Sequence, residues 1–206
     1  MGAAGHRVAA DVRRLGVPAG LPHRAVRPRR QDRHPLRGHH GDPGPGPFFR
    51  KIVKNKGAAL GYLAGEIEGF VKSEAGNGRL KVERELLAKG LEDAQAIIGA
   101  TFTDLMSANP ADEKGDIKNI YKVGLNTTRL VYVLGDLTIA WLLLRGAEVA
   151  LQKLGTDVSA ADKAFYEGKV AAASFFARNI LPLMAGERAI AENIDASIME
   201  LDEAAF

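Results

Sequence analysis

The sequence predicts an all-α protein: an antiparallel up-and-down helical bundle behind a disordered N-terminal segment. Three observations carry this. From Phe48 onward, apolar residues recur at three- and four-residue steps. No stretch carries the signature of a β-strand. The residues before Phe48 share no such period and differ in composition from everything after them.

That first segment holds all five histidines within its first 40 residues and seven of the nine prolines within its first 47. Residues 1 to 50 contain ten Arg, no Lys, three Asp and no Glu, a net charge of +7, so the overall +3 conceals an acidic remainder. Runs such as Pro28-Arg29-Arg30-Gln31-Asp32-Arg33 and Gly41-Asp42-Pro43-Gly44-Pro45-Gly46-Pro47 offer too little apolar surface to offset the entropy of ordering the chain. Residues 1–47 are therefore expected to be disordered, with the boundary near Pro47.

The first helix places Phe49, Ile52, Val53, Leu60, Leu63, Ile67, Phe70 and Val71 on one face, and Gly76-Asn77-Gly78 stops it. A second helix fits Leu80 to about Met106. It sets Leu87, Leu91, Ala94, Ile98, Phe102 and Leu105 inward, with Lys81, Glu83, Glu85 and Lys89 at polar positions, and Asn109-Pro110 ends it. A third begins around Asp112 to Ile117 and runs to about Leu154, where Gly155 closes it. It is apolar on nearly every side between Leu130 and Leu144, which marks it as the central helix. Ser159 and Asp162 resemble a capping box with Asp in place of the usual Glu or Gln, opening a fourth helix that carries Phe165, Ala172, Phe176 and Ile180. Pro182 interrupts it, and a last helix fits Ala185 to Ile194. Short connections between these helices favour antiparallel neighbours.

Composition bounds the chemistry. A chain of 206 residues, 46% of them hydrophobic, supports one domain with a real core. The absence of cysteine excludes a disulfide, a thiolate metal site and a cysteine nucleophile; it fits a reducing compartment, and a cytoplasmic location is expected. The longest nearly continuous apolar run, Leu137 to Leu144 with only Thr138 interrupting it, is well short of the roughly 20 residues of a membrane span, so no membrane association is expected. The opening residues carry neither a signal peptide nor a myristoylation motif.

Several clusters invite a functional reading. His39-His40 with Asp42 lack the fixed geometry of a metal site. Arg24, Arg27, Arg29, Arg30, Arg33 and Arg37 could neutralise phosphates, yet a solvated basic run is the commoner case and no nucleic-acid partner is expected. Arg129, Asp136 and Arg145 interrupt the most apolar helix and read as structural ion-pair members before a polar site. Trp141, Tyr166, Phe175 and Phe176 could line an apolar ligand pocket but more simply fill a core. Gly168 with Ala171, Ala172 and Ala173 suggests a small-residue face for close helix approach. No catalytic, cofactor-binding or metal residue is assigned.

The fourth helix, Phe165-Tyr166-Glu167-Gly168-Lys169-Val170-Ala171-Ala172-Ala173-Ser174-Phe175-Phe176-Ala177-Arg178-Asn179-Ile180-Leu181-Pro182, resembles the C-terminal extension of acyl-CoA dehydrogenases of the 3-methylmercaptopropionyl-CoA dehydrogenase type. The tail from Asp195 to Phe206 is similar to that subgroup's ending, and Phe48-Phe49-Arg50-Lys51-Ile52-Val53 resembles the helix after its active-site loop. The resemblance covers residues 48–206. It implies that residues 48–75 are the last helix of a catalytic bundle and residues 76–206 an added helical domain. It further implies a parent enzyme that uses FAD, acts on acyl-CoA, passes electrons to an electron-transfer flavoprotein and forms a homo-oligomer.

In that family the preceding loop reads approximately DYPIEQY, RDAR and YEGTTAIQ, whose glutamate is the catalytic base; here the same place holds Arg37-Gly38-His39-His40-Gly41-Asp42-Pro43. With codons chosen to fit and read one nucleotide out of frame, Gly16 to Pro35 can give AYLQDYPIEQYVRDARTAI and Arg37 to Gly46 can give EGTTAIQGQD. The expectation is an out-of-frame N-terminus on a dehydrogenase fragment with no activity and no bound cofactor of its own. The competing reading is a free-standing helical interaction module with a basic arm.

Overall fold

In the computed structural model, the residues described are 48–73, 78–111, 113 and 115–205. The expected disorder of residues 1–47, the His39-His40-Asp42 cluster, the arginine run and the Gly76-Asn77 part of the first stop signal lie outside them.

The first expected helix is two elements. Phe48–Val53 is a single π-helical turn, closed by Lys54 N donating to Phe49 O at 3.0 Å and Gly57 N to Ile52 O at 2.9 Å. Lys56 and Gly57 then adopt φ of 51° and 72°, the left-handed region that breaks a right-handed helix. The wide turn drives Phe48 and Ile52 into the core, where the Phe48 ring lies 5.6 Å from Phe102, and leaves Phe49 exposed. Helix α1, Ala58–Lys72, buries Ile67 and Phe70 and packs Leu60, Leu63 and Val71 at the core's edge; Ser73 ends it by donating through Oγ to Phe70 O at 2.7 Å.

Helix α2, Lys81–Ser107, matches its expected span and buries Leu87, Leu91, Ala94 and Ile97, with Ile98, Phe102 and Leu105 half-buried. Helix α3, Asn119–Leu154, begins after Asp116, whose carboxylate accepts from Lys118 N at 2.9 Å. Its 36 residues reach about 54 Å at 1.5 Å per residue. Gly90 on α2 faces Leu137 on α3, and Asp104, whose carboxyl is pushed up by burial, lies within electrostatic range of Lys122. These pairings set α2 and α3 antiparallel. An added Cβ at Gly90 would sit 3.0 Å from Met184 Sδ and 3.3 Å from Leu181 Cδ2, so glycine permits the close approach here.

The central position of α3 is only half of its character. One face, Val123, Leu130, Val133, Leu137, Ala140, Leu144, Ala147 and Ala150, is buried, whereas Tyr132, Ile139, Leu142 and Val149 are exposed on the other. Helix α4, Ala160–Asn179, opens on the expected cap, with Asp162 N donating to Ser159 Oγ at 3.1 Å. Ala173 and Ala177 face the core, Phe176 and Ile180 are half-buried, and Phe165 and Ala172 are exposed. Pro182 interrupts as expected, within the 3₁₀ turn Leu181–Leu183, and helix α5, Met184–Asn193, follows. No strand occurs among the described residues.

Candidate functional site

Two kinds of feature could carry function: buried charged groups between helices, and an apolar cleft. Glu83, expected at a polar position of α2, is instead buried at 2% exposure. It accepts from Ser174 Oγ at 2.5 Å and Arg178 Nε at 2.8 Å, both on α4. Burial is the largest influence on this carboxyl and raises it, but the hydrogen bonds from Ser174 and Arg178 outweigh burial and hold it below its ordinary 4.5. Its Oε2 finds no hydrogen-bond partner among the described residues.

A second buried carboxylate, Asp93, receives Lys89 Nζ at 3.2 Å and Arg188 Nη1 at 3.3 Å, and Arg188 Nε reaches Glu192 at 2.7 Å. On α3, Arg129 pairs with Glu187 of α5, and Asn126 Nδ2 donates to Ala191 O at 3.2 Å. Each group ties α4 or α5 to the α2–α3 pair, which makes them fastenings between helices. Arg129 thus meets the structural expectation; Arg145 lies 5.1 Å from the Trp141 ring centre, and Asp136 lines, with Arg129 and Glu187, a shallow depression between α3 and α5 that is separate from the apolar cleft.

The aromatic residues divide. Trp141 and Phe176 pack against the core, Tyr166 is half-buried edge-on to Phe165 at 5.5 Å, and Phe175 is exposed, contrary to the expected core role. Of the small-residue face only Ala173 is buried; a Cβ at Gly168 would meet nothing within 4 Å.

The apolar cleft, about 250 Å³, lies between α1, α2 and α3 and is lined by Leu60, Leu63, Ile67, Ala94, Ile98 and Leu137, with Gln95 as its one uncharged polar side chain. Its lining holds no acid, base, nucleophile or cation. A flavin, with a pyrophosphate to neutralise and a ring edge to hydrogen-bond, does not fit such a wall. The described residues also assemble no group of three His, Cys, Asp or Glu able to hold a metal.

Sequence reasoning missed Glu83 and Asp93. The available signal was the Ser174 and Arg178 pair at i and i+4 on α4, which presents a donor and a cation along one helical face.

Comparison with known proteins agrees with the fold. The family described as acetyl-CoA dehydrogenase C-terminal like matches residues 63–202. A curated relative, the broad-specificity linear acyl-CoA dehydrogenase FadE5 of Mycobacterium tuberculosis (strain ATCC 25618 / H37Rv), is 52% identical over 159 residues, which is 77% of this chain and 25% of that protein. The chain spans a quarter of the length of the relative it matches.

Proposed function

The chain belongs to the acyl-CoA dehydrogenase C-terminal family, and from that premise we propose that it is the C-terminal helical part of a longer FAD-dependent enzyme that dehydrogenates acyl-CoA thioesters. The observation that carries this reading is the family match over residues 63–202, coincident with an all-helical fold. In the parent, bound FAD supplies hydride acceptance while a carboxylate base removes the α-proton. The residues described here fit neither role: Glu83 is buried and tied to Ser174 and Arg178, and the cleft offers flavin no polar partner. Their part in the parent is structural, fastening one helical layer to the next. Acyl-CoA and an electron-transfer flavoprotein are partners of the parent, which is a cytoplasmic homo-oligomer of the 3-methylmercaptopropionyl-CoA dehydrogenase subgroup on this reading.

Residues 48–75 then close a catalytic bundle, residues 76–206 form the extension, and residues 1–47 are the active-site loop in a shifted frame. Resequencing the genomic locus across codons 1 to 60 and several hundred bases upstream tests this. An upstream frame encoding DYPIEQY and YEGTT, joined near Pro47, supports it. An unaltered sequence with nothing related upstream defeats it and favours the interaction module, whose basic arm should bind an anionic partner with steep salt dependence.

A further inference from the structure

The segment after α5 is acidic, and the start of α3 is basic. Residues 195–206 hold Asp195, Glu200, Asp202 and Glu203 and neither lysine nor arginine. Helix α3 opens with Lys118 at its N-cap and Lys122 one turn on, and has no acid in its first turn. Cations there oppose the helix dipole, whose N-terminus favours negative charge. Asp116 supplies part of that charge locally, accepting from Lys118 N. Glu200 supplies more from 82 residues away: its Oε1 accepts from Lys118 Nζ at 2.9 Å, a bond that raises the Lys118 ammonium above its ordinary value. At the other end of the segment, hydrogen bonds from Ser197 Oγ and N lower the Asp195 carboxyl, and the charge of Lys122 lowers it further. Two acids of the segment thus answer two lysines one helical turn apart.

Apolar burial does little to hold the segment. It forms two short 3₁₀ turns, Ser197–Glu200 and Glu203–Ala205, whose hydrogen bonds are local: Met199 N donates to Ala196 O and Ala205 N to Asp202 O, each at 2.9 Å. Ile198 and Met199 straddle Leu125. Ile198 lines one depression with Leu125, Ile190 and Ile194, and Met199 lines another with Leu125, Tyr121 and Phe49. Even so, Ile198, Met199 and Leu201 remain 57%, 49% and 54% exposed. An element with so little burial belongs to the low end of local stability. We infer that residues 195–205 form an acidic strap, latched by charge to the start of α3, which lifts as a unit when that pairing is screened and then bares Tyr121 and Leu125. The Lys118–Glu200 pair is half in water, at 55% and 52% exposure, so it shifts an equilibrium only about two- to fivefold. That is enough to tune a strap with so few buried apolar groups. The inference concerns this chain's own residues and is independent of the dehydrogenase assignment.

The chain has no cysteine, so a nitroxide attached at Leu201→Cys reports on the strap alone. At low salt, the electron paramagnetic resonance spectrum of the labelled full-length chain is expected to show an immobilised component from the seated strap beside a mobile one from the lifted strap. In that labelled background Lys118→Glu and, separately, Glu200→Lys should raise the mobile-to-immobilised ratio by at least two- to fivefold, roughly the worth of the pair. Combining the two reversals should return the ratio to that of the unreversed chain. Sodium chloride at about 1 M, where charges are screened beyond about 3 Å, should raise the ratio of the unreversed chain in the same direction and raise that of Glu200→Gln less. A strap held by Ile198 and Met199 alone would be left seated or tightened by salt, because salt does not weaken apolar contact. Lys118 and Glu200 are both exposed, so helical circular dichroism should stay unchanged in every variant. A wholly mobile label at low salt overturns the inference, as does a ratio indifferent to salt and to both reversals. A double reversal that stays as mobile as the single ones overturns it too.

Discussion

The α2–α3 pair and helix α4 join the same core by different physics. Between α2 and α3 the contact is aliphatic: Leu87, Leu91, Ile97, Leu130, Leu137 and Leu144 are buried, while Gly90 makes room for Met184 and Leu181. Helix α4 contributes two buried alanines, Ala173 and Ala177, with Val170 and Phe176 packed at the core's edge, and is tied to α2 by Ser174 and Arg178 gripping Glu83. Burying a leucine side chain is worth roughly 2 kcal/mol and an alanine methyl far less. The first contact should therefore respond to volume and be nearly indifferent to pH, and the second the reverse.

The largest effect should come from Leu137→Ala, which removes a side chain at 1% exposure: about 3 kcal/mol less stable by urea unfolding, from lost transfer energy and the cavity left behind. Arg178→Ala should cost about 1 to 2 kcal/mol, below the range of fully buried pairs because half of the Arg178 side chain is in water. The Glu83 carboxyl is held below its ordinary 4.5, so the folded state stabilises its ionised form. Its contribution is fully present above pH 4.5 and is lost as pH falls through the lower folded value. Glu83→Gln should thus flatten the acid side of a stability-versus-pH curve, while Leu137→Ala should lower the curve without changing its shape. An unchanged acid limb in the glutamine variant would remove the electrostatic half of the comparison.

Gly90→Ala should destabilise by about 1 kcal/mol in the same unfolding assay, because crowding Met184 and Leu181 exceeds the helix-propensity gain. The smallest effect belongs to Phe175→Ser on the outer face of α4, expected within about 0.5 kcal/mol of wild type.

The same contrast explains which parts of the fold were legible in the sequence. Helix α2 was readable because its inward stripe is made of large aliphatics, whose period is unambiguous. On helix α4 Phe176 packs against the core as expected, but Phe175 faces outward, and the core side uses Ala173 and Ala177, which are as common at surfaces as in cores. The π turn at Phe48 was hidden because Lys56 takes a left-handed conformation that no local pattern announces; Gly57 was the one available sign. Glu83 read as one of the polar positions of its helix, since its partners lie 91 and 95 residues away. Both faces of α3 are apolar, so the sequence marked the helix as central without distinguishing the face that packs inward from the face that remains open.

The most direct test of the functional account is to purify the 206-residue chain and measure flavin bound per chain together with acyl-CoA oxidation by an artificial electron acceptor. The account expects no retained flavin and no turnover above background, with the helical fold intact by circular dichroism. Stoichiometric FAD and sustained oxidation of an acyl-CoA would contradict it, and would place the catalytic base and the flavin site within this chain.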